Sequence, residues 1–376
     1  MTDRPALRPV LDVVIVNWNG GALLRACLAG LAAVRDAEAV QVIVVDNASE
    51  DGSTEDLPAL PCPLRLIRND ANLGFGRACD QGAAAGDAPA ILFLNPDTQV
   101  APDALRIART ALMADPRTGI VGARLVDPDG RTARSCARAP SVPGLLGRAL
   151  ALDRLGLARP HFLLEWDHEE DRAVDQVMGA FLMIRRDLFQ ALGGFDPRFF
   201  VYWEDVDLCT RARSAGFAVR HVAGAVVRHV GQGTTRQVRA RRLFYFLRSQ
   251  ILYAGKHHGP AAALALTAAS FGAQVPLRLA LALAHRSPAE AAEVLRPAGP
   301  PPAEPPRPPV GSSGRFARAE GRLIRYAAAR WAVADGCAEP GSAMPHATPS
   351  ATETAAGLPT GGAARDEGAA PMPVRP

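Results

Sequence analysis

Apolar residues come in short dense runs along the first third of the chain, and polar residues mark where each run stops. Leu11 to Val16 is apolar and β-branched and closes on Asn17 and Gly20, the pattern of a strand covered on both faces. Val40 to Val45 repeats it and closes on Asp46-Asn47. Leu64 to Ile67 is a shorter run; Ile91 to Leu94 closes on Asn95-Pro96-Asp97, and Ile120 to Leu125 is another strand. Between them, Ala22 to Val34, Arg77 to Ala85 and Ala104 to Ala114 carry helical spacing. Strand and helix alternating at short intervals predict a doubly wound, mostly parallel α/β sheet with helices on both faces. Asn17, Asp46, Asn95 and Asp97 fall at strand ends, beyond which the ligand crevice of such a sheet lies.

The pattern then loosens. Arg131 to Asp175, with Pro140, Pro143 and Pro160, predicts irregular loops. Gln176 to Ile184 reads as a strand and Asp187 to Leu192 as a short helix. Phe217 to Val222 and Ala225 to Val230 read as two closing strands. Beyond Arg236, Arg239, Arg241, Arg242 and Arg248 interleave with Leu243, Phe244, Phe246, Leu247, Ile251, Leu252 and Tyr253. That basic amphipathic helix suits a membrane interface and equally suits packing on the domain, with arginine stems covering apolar surface. Ala261 to Leu277 lacks charge but holds Thr267, Ser270, Gln274 and Pro276, which favours an interfacial or re-entrant helix over a span. From Ser287 onward Pro, Gly, Ala and Ser predict a disordered tail, with a local helix at Arg315 to Val333. The expected division is a catalytic domain over 1–235, with halves of about 11–125 and 126–235, helices over 236–286 and the tail over 287–376.

Composition narrows the function. A 376-residue chain with 48% hydrophobic residues can bury a large core, and a net charge of +4 is too weak and scattered for nucleic acid. The six cysteines show no metal spacing and read as reduced core thiols. Met1 to Val10 has no apolar segment of the kind a secretory signal needs. The expected location is cytoplasmic, peripheral at the inner membrane face.

Trp203-Glu204-Asp205-Val206-Asp207-Leu208 puts three carboxylates within four residues. On a helix, Glu204 and Asp207 share one face and Asp205 points away. Such a run serves proton transfer or a cation, and serves equally as a helix start favoured by the macrodipole.

Five segments in order resemble the signatures of family 2 glycosyltransferases, within them the rhamnosyltransferase-like branch. They are Val13-Val14-Ile15-Val16-Asn17-Trp18-Asn19-Gly20, Val44-Val45-Asp46-Asn47-Ala48-Ser49, Asn72-Leu73-Gly74-Phe75-Gly76, Leu94-Asn95-Pro96-Asp97-Thr98 and the acidic run at 203–208. The resemblance spans about Asp12 to Val230 and implies a GT-A fold, a nucleotide-sugar donor, a divalent cation (Mg²⁺ or Mn²⁺) and inversion at the anomeric carbon. It places Asn17, Asn19, Asp46 and Asn47 at the donor's base and ribose, although Asn and Asp also dominate ordinary turns. It places Asn72, Gly74, Gly76 and Arg77 at the diphosphate, where glycines permit close approach and a helix start offers N–H groups. Asp80 stands where the family pattern often has Asn. Asn95 and Asp97 replace the usual Asp-x-Asp, so Asp97 supplies one carboxylate to the metal and His229 is a second candidate ligand.

The resemblance further makes Asp205 the general base, with Glu204 beside it. Tyr202 and Trp203 are a stacking wall for the acceptor sugar or plain core packing. Asp207 reads as structural, and His257-His258 as interfacial surface residues. The branch implies single transfer of L-rhamnose from dTDP-L-rhamnose to a glycan or polyprenyl-linked acceptor. Transfer from a UDP-sugar, or a non-catalytic sugar-nucleotide-binding scaffold, stays open.

Overall fold

The computed structural model describes residues 9–276 apart from 36, 154 and 232–238; the expectations for 277–376 lie outside the described residues. The elements run β1 (Leu11–Asn17), α1 (Gly21–Ala32), β2 (Val40–Asp46), β3 (Leu64–Arg68), α2 (Phe75–Ala84), β4 (Ala90–Leu94), β5 (Thr98–Val100) and α3 (Ala104–Ala114). Then come β6 (Thr118–Val126), α4 (Val142–Ala149), β7 (Arg172–Val174), β8 (Phe181–Arg185), α5 (Arg186–Leu192), α6 (Glu204–Ser214), β9 (Ala218–His229), α7 (Arg239–His258) and α8 (Pro260–Ala269).

One sheet carries all nine strands in the order β3-β2-β1-β4-β8-β6-β9-β5, with β7 pairing β9. Alternation along the strands separates two cores. Val13, Ile15, Val42 and Val44 pack with Leu24, Leu28, Leu105 and Leu112 of α1 and α3. Val14, Val16, Ile43 and Val45 face the opposite way, onto Ala78 and Cys79 of α2, Leu188 of α5 and Leu208 of α6. Helices therefore cover both faces, as the buried strands predict. Asp12 is the polar exception inside β1. It is fully buried, is paired with Arg186 of α5 (2.5 Å) and accepts from the Ala88 N–H (3.0 Å).

The expectation of a mostly parallel sheet holds for only part of it. β3, β2, β1 and β4 are mutually parallel, as are β6 and β9. β8 runs antiparallel between β4 and β6, and β5 and β7 are antiparallel to β9. Those strands arrive from loops instead of crossover helices, and antiparallel pairing needs no crossover. The strand expected from Gln176 begins only at Phe181. The two closing strands are one: three residues, Ala223 to Ala225, bulge between the pairings of Val222 with Ala123 and Val226 with Arg124. The irregular middle hides α4, whose signals are a Ser141 side-chain cap and Pro143 in its first turn.

The apolar face of α7 packs on the protein. Tyr253 and Ala254 join Ala262 and Leu266 of α8 in a cluster with Leu145, Phe199, Trp203 and Val206. Amphipathic spacing alone does not say which apolar surface a helix covers, hence its double meaning in sequence. Among the described residues no helix is long and apolar enough to cross a membrane. Cys27, Cys62, Cys79, Cys136 and Cys209 are buried free thiols.

Candidate active site

The parallel half presents its polar residues in a row. Asn17 ends β1 and Asp46 ends β2 at matched register. Asn17 is fully buried, and its Nδ2 donates to Asp46 Oδ1 (3.1 Å), Ser49 Oγ (3.0 Å) and Ser53 Oγ (2.7 Å). Ser49 Oγ donates in turn to Asp46 Oδ1 (2.5 Å) and accepts from the Asn19 N–H (2.9 Å). Asn17 therefore holds the Asp46 carboxylate in place. Asn19 takes a left-handed φ of +50°, and its Oδ1 accepts from the Glu50 N–H (2.8 Å).

Asn47 fastens the glycine loop to the end of β2. Its Nδ2 donates to Asn72 Oδ1 (2.8 Å) and the Gly74 carbonyl (3.3 Å), and its Oδ1 accepts from the Leu73 N–H (3.0 Å). Gly74 has φ +86°, and a Cβ there would stand 2.5 Å from the Phe200 carbonyl oxygen. A Cβ on Gly76 would lie 3.0 Å from Phe195 Cβ. The close approach read from these glycines is thus to the 195–200 loop, and the Phe75 N–H at the start of α2 is already given to Phe200 O (2.8 Å). Arg77 makes no ion pair among the described residues, and α2 holds no acidic residue in its first turn. Asp80 accepts from the Phe195 N–H (3.0 Å), and burial pushes its carboxyl up to about 7.

Asn95 and Asp97 follow β4. The backbone of Asn95 accepts from Thr98 Oγ1 (2.6 Å), while its side-chain amide is half-buried at the sheet's edge. Asp97 Oδ1 lies 3.3 Å from His229 Nε2, because β5 pairs Thr98 with His229 across the sheet. Two proposed metal ligands 132 residues apart in sequence thereby meet. Their donor set, one carboxylate and one imidazole, suits a divalent cation whose other sites are filled by phosphate oxygens and water. Among the described residues no group of three His, Cys, Asp or Glu side chains could hold an ion unaided.

Asp205 sits in the first turn of α6. Its Oδ2 accepts from the Gly179 N–H (2.9 Å) and its Oδ1 from the Val206 N–H (2.8 Å), and the Gln176 side chain donates to it as well. Burial raises its proton affinity; those donors oppose the rise. The next residue along, Ala180, accepts from the Asn95 N–H (3.0 Å). The Gly179–Ala180 dipeptide therefore joins the base candidate to the metal-side turn. Glu204 is buried with Oε2 unpartnered, and burial, then the neighbouring charge of Asp205, pushes its carboxyl up. Asp207, on the Glu204 face, is fully buried against Arg211 (2.8 Å), Lys256 (2.6 Å) and His257 (2.7 Å), and is drawn down to about 2 by those partners despite its burial.

Tyr202 and Trp203 enter the helix with φ of +65° and +71°, two left-handed residues in sequence, a strain kept where surroundings over-determine it. Trp203 is buried in the cluster with Tyr253 and stacks on His161 (6.0 Å). Tyr202 lies 6.1 Å from the Phe246 ring. His258 is exposed, as a surface residue should be, whereas His257 is drawn into the buried charge cluster. His257 bonds Asp207, and His258 bonds the Pro140 carbonyl (2.9 Å), because α7 ends against α6 and the 140 loop. Gln176 is expected from the sequence only as a strand start, and His161 is not singled out there. Neither carries a local signal, one being an isolated amide and the other lying in the irregular middle. Lys256, the chain's only lysine, carried the one compositional hint of its special place.

Asn and Asp residues gathered beyond the ends of parallel strands stand where an open α/β sheet binds its ligand. The Glycosyl transferase family 2 model matches residues 12–193. An N-acetylglucosaminyl-diphospho-decaprenol L-rhamnosyltransferase of Mycobacterium tuberculosis is 32% identical over 267 residues, covering 66% of this chain and 86% of that protein. Rhamnosyltransferase WbbL of Escherichia coli is 31% identical over 83 residues, 22% of this chain and 31% of its own. A solved structure of mannosyltransferase PcManGT from Pyrobaculum calidifontis, with GDP-Man and Mn²⁺, superposes at a TM-score of 0.45 with 19% identity, over 87% of this chain and 88% of that one. The chain belongs to glycosyltransferase family 2 and is a glycosyltransferase. Its mixed sheet with flanking helices is consistent with a GT-A fold.

Proposed function

We propose that the enzyme transfers one L-rhamnose from dTDP-L-rhamnose, with inversion, to a lipid-linked glycan acceptor. The donor and acceptor follow the printed activity of the mycobacterial relative. The observation that carries the chemistry is the Gly179–Ala180 link, which sets Asp205 beside the Asn95-Asp97 turn.

In this reading Asp46, held by Asn17 and Ser49, accepts from the pyrimidine N–H of the donor, with Asn19 and Asn47 shaping the base pocket. Arg77 faces the diphosphate, and the amide of Asn95 faces the sugar. Asp97 and His229 would hold Mn²⁺ or Mg²⁺, which offsets leaving-group charge when bound. Asp205 takes the proton of the acceptor hydroxyl while its oxygen bonds to the anomeric carbon and the bond from that carbon to the diphosphate breaks. Burial and the neighbouring Asp205 charge both raise the proton affinity of Glu204, while backbone N–H donors oppose the rise at Asp205. Tyr202 and Trp203 fix the turn that aims Asp205, and their packing sets the acceptor wall.

A thermal-shift panel of dTDP- and UDP-sugars, with and without Mn²⁺, tests the donor. Stabilisation by dTDP-L-rhamnose that needs the metal is expected. Stabilisation by UDP-sugars alone would assign a different donor.

A further inference from the structure

Trp203, part of the proposed acceptor wall, also lines a cavity of about 550 Å³. Arg138, Arg148, Arg159, His161 and Trp203 line it, and no Asp or Glu does. Arg148 and Arg159 therefore bring positive charge to a partly apolar space that is open to solvent at its rim. Arg138 is pinned by the Pro160 and Phe162 carbonyls (3.3 Å each) and neutralised by an ion pair with Glu165, and the Arg148 guanidinium lies over the Phe246 ring (5.2 Å). Arg159 is exposed and has no carboxylate partner among the described residues. Burial, reinforced by the Arg148 charge, keeps His161 neutral, down to about 4. The indole Nε1 of Trp203 is buried and lacks a partner.

The cavity communicates with the base through its own wall. Trp203 precedes Asp205 by two residues, and His161 stacks on Trp203 and lies against Gln176, which bonds Asp205. Its rim is apolar. Leu157 lines the cavity yet is 73% exposed, and Leu155 of the same loop is 70% exposed. Arginines bordered by exposed leucines fit a ligand that is anionic at one end and apolar beyond it.

We propose that this cavity seats the diphosphate of a lipid-linked acceptor, with Arg148 and Arg159 as its ligands and the leucine rim receiving the first isoprenoid units. The assignment rests on Asp205 as the base of a sugar transfer. Its test is a binding measurement, so failure of the catalytic reading and failure of this one are told apart.

Farnesyl diphosphate and inorganic pyrophosphate are titrated into the full chain by calorimetry, alongside Arg159→Gln and Arg148→Gln/Arg159→Gln. Arg159 is exposed, so the single variant keeps the fold. Farnesyl diphosphate is expected to bind about tenfold more weakly to the single variant and further still to the double, tenfold being the scale of one charge-assisted pair. Donor stabilisation is expected to stay unchanged in both. Undiminished binding to the variants, or none to the wild type, overturns the assignment. Pyrophosphate binding as tightly as farnesyl diphosphate, and lost in the same variants, overturns the lipid source and leaves a site for free anions. With turnover in hand, a farnesyl-diphosphate-linked sugar should show a KM raised by Arg159→Gln. The same sugar as a phosphate-free farnesyl glycoside should not.

Discussion

The two ends of the sheet hold their polar groups by different means. At the parallel end, Asn17, Asp46 and Asn95 each finish a buried strand, and hydrogen bonds among neighbouring loops hold them: Asn17 to Asp46, Asn47 to Asn72. At the mixed end, Asp205 stands on a helix entered through two left-handed residues. It is fixed by Gly179, by Gln176 and, through Asp207, by a helix that begins some thirty residues later. The first arrangement is built of neutral amides and hydroxyls around one carboxylate. The second depends on buried charges, where losing one partner leaves another uncompensated. The residues proposed for the donor are thus held by strand ends and their loops, whereas the proposed base draws on packing from several elements.

That contrast can be broken most sharply at the base. Asp205→Asn keeps the accepting oxygen for Gly179 but cannot take a proton, so transfer should fall by about 10²- to 10⁴-fold. Donor-induced thermal shift should stay at the wild-type value. Equal transfer rates in the two proteins would remove Asp205 from the chemistry.

The next largest effect belongs to the charge network behind it. Lys256 bridges Asp196 (2.7 Å) and Asp207 (2.6 Å), both buried. Lys256→Met should cost about 3 kcal/mol in urea unfolding, the scale for breaking a buried pair. Asp207 is held below its ordinary value, so its contribution is present above pH 4 and is lost as pH falls through about 2. The gap between variant and wild type should therefore narrow at strongly acid pH. A constant gap would assign the loss to packing.

Asp80 works the other way. Its folded value of about 7 exceeds the unfolded one, so the folded state holds the extra proton between about pH 4 and 7 and stability falls as pH rises across that window. Asp80→Asn keeps an acceptor for the Phe195 N–H. It should gain about 2 kcal/mol at pH 8, half the ceiling set by the full shift, and nothing at pH 4. Melting curves at both values check this.

The smallest change is expected at His229, one half of the proposed metal pair. His229→Ala should raise the Mn²⁺ concentration for half-maximal donor stabilisation about tenfold, as loss of one supporting ligand does, and Asp97→Ala should abolish the Mn²⁺ response. Indifference to both would leave the pair a structural contact.

Much of this was legible beforehand at the parallel end. The runs at Leu11 and Val40 named their strands to within a residue, and Asn17, Asp46, Asn95 and Asp97 fell where loops meet. Legibility failed at Arg131 to Asp175, which supplies α4, His161 and the basic cavity. Isolated His, Arg and Gln residues in a proline-rich stretch carry no period, and their meaning comes from what they fold against. The glycines at 74 and 76 were visible, but the partner that demands them, the 195–200 loop, was not.

Sequence by itself determined the strand-helix alternation, the strand-end polar groups and the acidic helix start, because burial on two faces and helix-terminus electrostatics are written in neighbouring residues. Tertiary structure decided that β8 runs backwards through the sheet, that His229 meets Asp97, that α7 covers Trp203, and that Asp207 is a hub and Asp205 a base candidate. Each is a pairing between residues distant in the chain. Such pairings are set by the folded core's packing and by which buried charges find partners, and no local pattern records either.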